Sequence, residues 1–211
     1  MLLAISLLLT ACPNQKENPT PECEKKWELG IGKSGSIEIN SGLMTMKATP
    51  QDSLIVLIPA EKALLTGDFE LTVTFENFKP SSEEGSVAEL SLFDPNNFQT
   101  LPTLGLGKSF LSVITDRFDF TPIDTEDVTK QGSFYVKRQG KELTLVLTAN
   151  GKNLSVNYTF TDKPLQLFIT TGFYPEEFGG SQTQISIQKI EVKNGGGKVK
   201  SDDFDCNSVN D

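Results

Sequence analysis

From about residue 34 onward the chain alternates apolar and polar positions with a period of two, the spacing of strands that bury one face. The clearest stretch is Phe69-Glu70-Leu71-Thr72-Val73-Thr74-Phe75-Glu76, which puts Phe69, Leu71, Val73 and Phe75 on one side. Leu143, Leu145 and Leu147 repeat the pattern, as do Leu154, Val156, Tyr158 and Phe160. Turn residues separate the runs: Asn150-Gly151 between the last two predicts a tight hairpin, and Ser41-Gly42 and Gly140 stand at similar breaks. Further strands are predicted over 36–40, 43–48, 53–58, 87–93, 110–115, 133–138, 165–171 and 183–193. In the last of these, Ile185 and Ile187 give way to Ile190 and Val192, a change of phase that predicts a bulge. Residues 61–65 alone read as helical, for a turn or so. Many short strands with little helix predict an all-β fold, a two-sheet antiparallel sandwich of the jelly-roll kind.

Composition narrows the chemistry. The 211 residues carry a formal charge of -9 and no histidine. An acidic chain lacks the electrostatic footprint of a nucleic-acid binder, so no nucleic-acid partner is expected. Without histidine there is no Ser-His-Asp or Cys-His nucleophile system and no His-ligated zinc or iron site. Three scattered cysteines do not make a zinc cluster. No cofactor is expected; calcium, which takes oxygen ligands, is the metal left open.

The first residues carry a different signal. Met1 to Leu9 are almost wholly apolar, too short a run to span a bilayer, and they stop at small residues and a cysteine. This is how a secretory signal ends, so residues 1–11 are read as a removable signal peptide. Leu9-Thr10-Ala11-Cys12 resembles the bacterial lipobox. The resemblance implies cleavage before Cys12, acylation of that cysteine, and a membrane partner reached through the lipid. Gln15-Lys16-Glu17 resembles the export signal of Bacteroidetes-type surface lipoproteins, which implies a lipid-anchored place on the outer membrane, facing outward; a solvated linker is the plainer alternative. Residues 12–26, with Pro13, Pro19 and Pro21, are read as the tether, and 27–211 as a single β-sandwich domain with a C-terminal tail. With Cys12 taken, Cys23 and Cys206 flank the domain and are expected to pair in an oxidising compartment. Trp27, the one tryptophan, is expected to pack on the core near that disulfide. Asp202-Asp203-Phe204-Asp205 reads as solvated tail.

The order of strands and turns resembles the concanavalin-like, laminin-G-like jelly rolls. It runs from Thr66-Gly67-Asp68-Phe69-Glu70-Leu71-Thr72-Val73 through Arg138, Asn150-Gly151 and Leu165-Gln166-Leu167-Phe168-Ile169 to Ile190-Glu191-Val192. The resemblance implies two stacked antiparallel sheets, one often carrying ligands. It includes the family-sixteen glycoside hydrolases, whose strand carries Glu, Asp and Glu at alternate positions. Here Glu89 fits the first position, Ser91 and Phe93 depart from the other two, and Asp94 fits only through a bulge. No catalytic residues are therefore assigned. Asp94 and Asn96 lie in an oxygen-rich segment that is good turn sequence and an alternative calcium loop. For ligand binding the best candidate is the aromatic, Gly-rich loop with Phe173, Tyr174, Glu176, Glu177 and Phe178. Phe118 and Phe120, among Asp116, Arg117 and Asp119, form a second candidate loop. The expected function is non-enzymatic binding of a glycan, such as a polysaccharide, or of a surface protein. A degenerate glycoside hydrolase and a structural or assembly lipoprotein are the alternatives.

Overall fold

The structure, a computed structural model, describes residues 27–29, 35–49, 54–60, 63–81, 85–96, 102–123, 130–173 and 182–205. In chain order the strands are β1 (Trp27–Leu29), β2 (Ser36–Asn40), β3 (Leu43–Ala48), β4 (Leu54–Pro59), β5 (Leu64–Leu65), β6 (Phe69–Lys79), β7 (Ser86–Phe93) and β8 (Thr103–Gly107). There follow β9 (Phe110–Ile114), β10 (Phe118–Pro122), β11 (Lys130–Gln139), β12 (Glu142–Ala149), β13 (Lys152–Thr159), β14 (Leu165–Phe173) and β15 (Thr183–Lys193). They form two antiparallel sheets, a jelly-roll sandwich. One sheet has eight strands, ordered β1-β4-β14-β7-β8-β9-β10, with β5 paired to β14. The other has seven, ordered β13-β12-β11-β6-β15-β3-β2.

The period-two pattern builds the core directly. Phe69, Leu71, Val73 and Phe75 of β6 meet Phe134 and Val136 of β11 and Leu143, Leu145 and Leu147 of β12, all buried. Facing them from the eight-stranded sheet are Ile55, Leu57, Ala88, Leu90, Leu92, Leu104, Leu106, Leu167 and Ile169, also buried. The Phe75 and Phe134 rings lie 5.0 Å apart. The edge between the sheets is closed by Arg138, whose Nε and Nη1 donate to the carbonyls of Gly67 (2.6 Å) and Lys163 (2.7 Å) over the Phe69 ring.

The predicted bulge is present. Along β15, Ile187 pairs with Phe75 but Lys189 pairs with Thr74, so Gln188 is the extra residue and the buried set moves from Ile185 and Ile187 to Ile190. A second bulge sits on β6, where Asn77 takes φ 53° and lets Phe78 turn inward after Phe75. The Asn150-Gly151 hairpin joins β12 to β13 with both turn residues at positive φ, as the sequence requires.

Three expectations need correction. Within 61–65 the described end, Leu64 and Leu65, is a strand paired to Gln166 and Leu165 rather than a helical turn. A buried Leu65 and a free sheet edge outweigh weak local helix preference. The segment from Phe118 to Pro122 is not a loop but the edge strand β10, paired residue for residue with β9. The supposed solvated tail is anchored: Asp202 and Phe204 are buried, and Asp202 exchanges backbone hydrogen bonds of 2.8 Å with Ile190. Its carboxylate accepts from the Trp27 indole N–H at 3.0 Å, and the Trp27 and Phe204 rings sit 6.4 Å apart. Trp27 does pack on the core. Cys12, Cys23 and Cys206 lie outside the described residues.

Candidate functional site on the outer face of the eight-stranded sheet

In an antiparallel pair, directly opposed residues share a face. The pairings therefore define rows across the outer face of the eight-stranded sheet. One row runs Phe120, Ser112, Gly105, Glu89, Thr170 and Val56, from β10 to β4. The next runs Phe118, Ile114, Thr103, Ser91 and Phe168. Beyond them, Phe93 opposes Gln166 at one end and Phe110 opposes Pro122 at the other. Five phenylalanines thus point away from the core on a sheet whose inner side is already filled.

Two of the five are exposed. Phe118 and Phe120 are 58% and 59% accessible, and their rings stack 6.0 Å apart at 26°. β10 is an edge strand with alternate residues outward, so an F-D-F sequence places both rings on one flank. Arg117 Nε donates to Asp119 Oδ2 at 2.8 Å, two residues along the same arm of the hairpin. Beside the rings a hollow of about 500 Å³ is lined by Ser109, Phe110, Phe118, Phe120, Pro122 and Ile123. Phe93 and Phe168 form a second aromatic pair, 5.9 Å apart, at the far end of the face.

Between the two pairs lies the polar floor. Ser91 and Thr103 share a 2.8 Å hydrogen bond, and Ser112 donates to the Gly105 carbonyl at 3.2 Å. Gly105 matters sterically: a Cβ there would stand 2.5 Å from Ser112 Oγ and 3.6 Å from Glu89 Oε1. Glu89 is the carboxyl of this floor. Burial raises its pKa from the ordinary 4.5 to about 7, and the neighbouring Thr170 hydroxyl tempers the rise. Thr170 Oγ1 itself is buried and meets no partner in good hydrogen-bond geometry; it is close to Glu89 without being aligned on it.

The residues singled out in the sequence are distributed as follows. Glu89 is on this floor. Asp94 is not beside it: β7 keeps an unbroken register from Ser86 to Phe93, so there is no bulge to bring the two together. Five residues of extended strand separate their Cα atoms by about 16 Å, too far for a retaining carboxyl pair. Asp94 is buried and its Oδ1 accepts from the Asn96 backbone N–H at 2.8 Å, the geometry of a side-chain-closed turn, with Asn96 itself exposed. Among the described residues no three His, Cys, Asp or Glu side chains converge as metal ligands. Phe173 ends β14 opposite Ser86, while Tyr174, Glu176, Glu177 and Phe178 lie outside the described residues. Thr170, Ser112 and Gly105 were not singled out. Their signal was period-two alternation within β14, β9 and β8, which assigns them to the face opposite the buried leucines once the register is known.

No family model matches the sequence, and a search of curated proteins finds no match. Solved structures are similar in fold. The alginate lyase AlgAT5 of polysaccharide lyase family 7 superposes with a TM-score of 0.56 at 13% identity, covering 80% of this chain and 94% of that one. The alginate lyase A1-II' of the same family gives 0.54 at 13% identity, over 82% and 96%. A sialidase gives 0.56 at 7% identity over 80% of this chain, which spans only 17% of the sialidase's length. At these identities the likeness establishes the jelly-roll fold alone.

Proposed function

We propose that the chain is a non-enzymatic glycan-binding domain that takes a polysaccharide across the outer face of its eight-stranded sheet. The observation that carries the reading is the exposed, stacked pair Phe118 and Phe120 beside a hollow, on a face with a recessed polar floor. Flat rings that are free of core duty suit the apolar face of a sugar ring, and the floor supplies hydroxyl-sized partners. The solved structures of the same fold include polysaccharide lyases, which agrees with a glycan but does not choose one. An enzymatic alternative has Glu89 in its favour as a carboxyl poised near neutrality, but no second carboxyl lies in its row.

In the same reading the domain is held at a bacterial outer-membrane surface by a lipid on Cys12, with residues 12–26 as tether. A Cys23–Cys206 disulfide joins its ends. The Trp27–Asp202 contact supports the last point, since four and two residues of chain from Trp27 and Phe204 are enough to let those cysteines meet.

The test is a polysaccharide-binding screen of the domain from residue 22, by affinity electrophoresis with neutral glucan, mannan and xylan and acidic alginate. Binding that is lost in F118A/F120A is the expected result. Binding to none of them would overturn the reading. So would a concentration-dependent dimer in sedimentation that F118A/F120A dissolves, because the rings would then be covered by a second copy.

A further inference from the structure

The two exposed rings explain where a sugar would stack but not what would orient it. The row that starts at Phe120 leads three strands inward to Glu89 and four to Thr170. At the usual spacing of strands that is about 14 Å and about 19 Å, the span of a short oligosaccharide laid across the sheet. Thr170 is only 7% exposed, yet its hydroxyl lies by Glu89 without a partner in good hydrogen-bond geometry, an arrangement that costs free energy in the unliganded protein. Such a group on an outer face, beside a recessed carboxyl, is what a site looks like before its ligand completes it.

We propose, building on the glycan reading above, that Thr170 and Glu89 are the orienting subsite: a hydroxyl of an uncharged sugar hydrogen-bonds to both, supplying the well-aligned partner that Thr170 Oγ1 lacks. The ligand class follows from the surroundings. Glu89 faces Phe168 and Thr170 on β14, Thr103 and Gly105 on β8, and Val56 and Ser112 one strand further, and none of these titrates. There is no cation in this set to receive a uronate or sulfate, and the chain as a whole is acidic at -9. A neutral polyol is the complement. The neutral acid form of Glu89 offers one donor and one acceptor to a sugar hydroxyl, and the ionised form offers only acceptors. Because burial already holds its pKa near 7, covering it with ligand favours the protonated form further. Affinity therefore declines as pH rises above about 7.

The experiment uses the full soluble domain and the neutral polysaccharide that binds best in the screen, with affinity measured by calorimetry from pH 6 to pH 8.5. The wild type is expected to lose about tenfold or more across that range. E89Q, which cannot ionise, is expected to bind with a flat profile. T170V removes the poorly aligned hydroxyl at nearly constant shape and is expected to bind several-fold more weakly while unfolding at the same or higher denaturant. F118A/F120A should weaken binding equally at every pH. A flat wild-type profile, or T170V binding like wild type, overturns the subsite and leaves the aromatic platform standing. Loss of T170V binding together with loss of stability also overturns it, since the hydroxyl would then be structural. Absence of any polysaccharide binding overturns both the platform and the subsite.

Discussion

Each sheet of this sandwich has an outer face, and the two faces are built from different chemistry on the same pleat. The seven-stranded sheet shows Glu70, Thr72, Thr74, Lys137, Lys189, Glu191 and Lys193 outward, joined by ion pairs such as Lys189–Glu191 and Lys193–Glu191 at 2.9 Å and Lys137–Glu70 at 3.7 Å. The eight-stranded sheet shows phenylalanines, valine, hydroxyls and the Glu89 carboxyl. Two glutamates summarise the contrast. Glu191, exposed and held by hydrogen bonds from Lys189 and Lys193, has its pKa drawn down to about 2. Glu89, without a cation in its row, is pushed up to about 7 by burial. Antiparallel sheets ordinarily leave one face to water, and the seven-stranded sheet does so. The other face is only partly a water surface, with two stacked rings exposed beside a recessed polar floor.

Substitutions should separate the two faces, starting with the largest effect. F118A/F120A should reduce polysaccharide affinity tenfold or more in calorimetry, whereas Y135A on the seven-stranded face should leave it unchanged; equal losses would erase the distinction. Next is the effect of pH on folding. The raised folded-state pKa of Glu89 means that the native protein binds a proton which the unfolded chain has already released between about pH 4.5 and 7. The contribution of this residue to stability is then full below about pH 4.5, falls as pH rises, and is lost by roughly 3 kcal/mol above pH 7. Urea unfolding of E89Q should accordingly match wild type at pH 4 and exceed it at pH 8. Reducing a Cys23–Cys206 disulfide should lower stability by about 4 kcal/mol on loop-entropy grounds, in scans with and without reductant; an unchanged mass after reduction and alkylation would remove the bridge from the picture. W27F, which deletes the indole donor to Asp202, should cost about 1–3 kcal/mol by leaving a buried carboxylate short of a partner. The smallest effect is expected from E191Q, with a urea midpoint indistinguishable from that of wild type, because exposed ion pairs contribute little.

Most of the fold was legible because period two and turn residues act locally. β6, β12, β13 and β15 could be read with their faces, and the phase change in β15 located its own bulge. β8 was missed because Thr-Leu-Gly-Leu-Gly has weak strand preference, although Leu104 and Leu106 alternate; it is held by pairing on both sides. β5 was misread because two residues are too few to show a period. The site was legible only in pieces. Glu89 and the Phe118–Phe120 pair each stood out, but they lie about thirty residues apart in sequence, and only the register of β7, β8, β9 and β10 aligns them. Alternation within β14 assigns Thr170 only to a face; its poorly aligned hydroxyl is a property of its surroundings.

The contact between Trp27 and the segment at Asp202 and Phe204 has a mechanical meaning. β1 is only three residues long and pairs with β4 alone, so on its own it would peel from the sheet edge one bond at a time under tension. The indole hydrogen bond and the ring contact pass that tension to Asp202, whose backbone is bonded to Ile190 of the opposite sheet. A pull applied ahead of Trp27 is therefore shared between both layers. The contact is a strain relief at the point where such a load would enter.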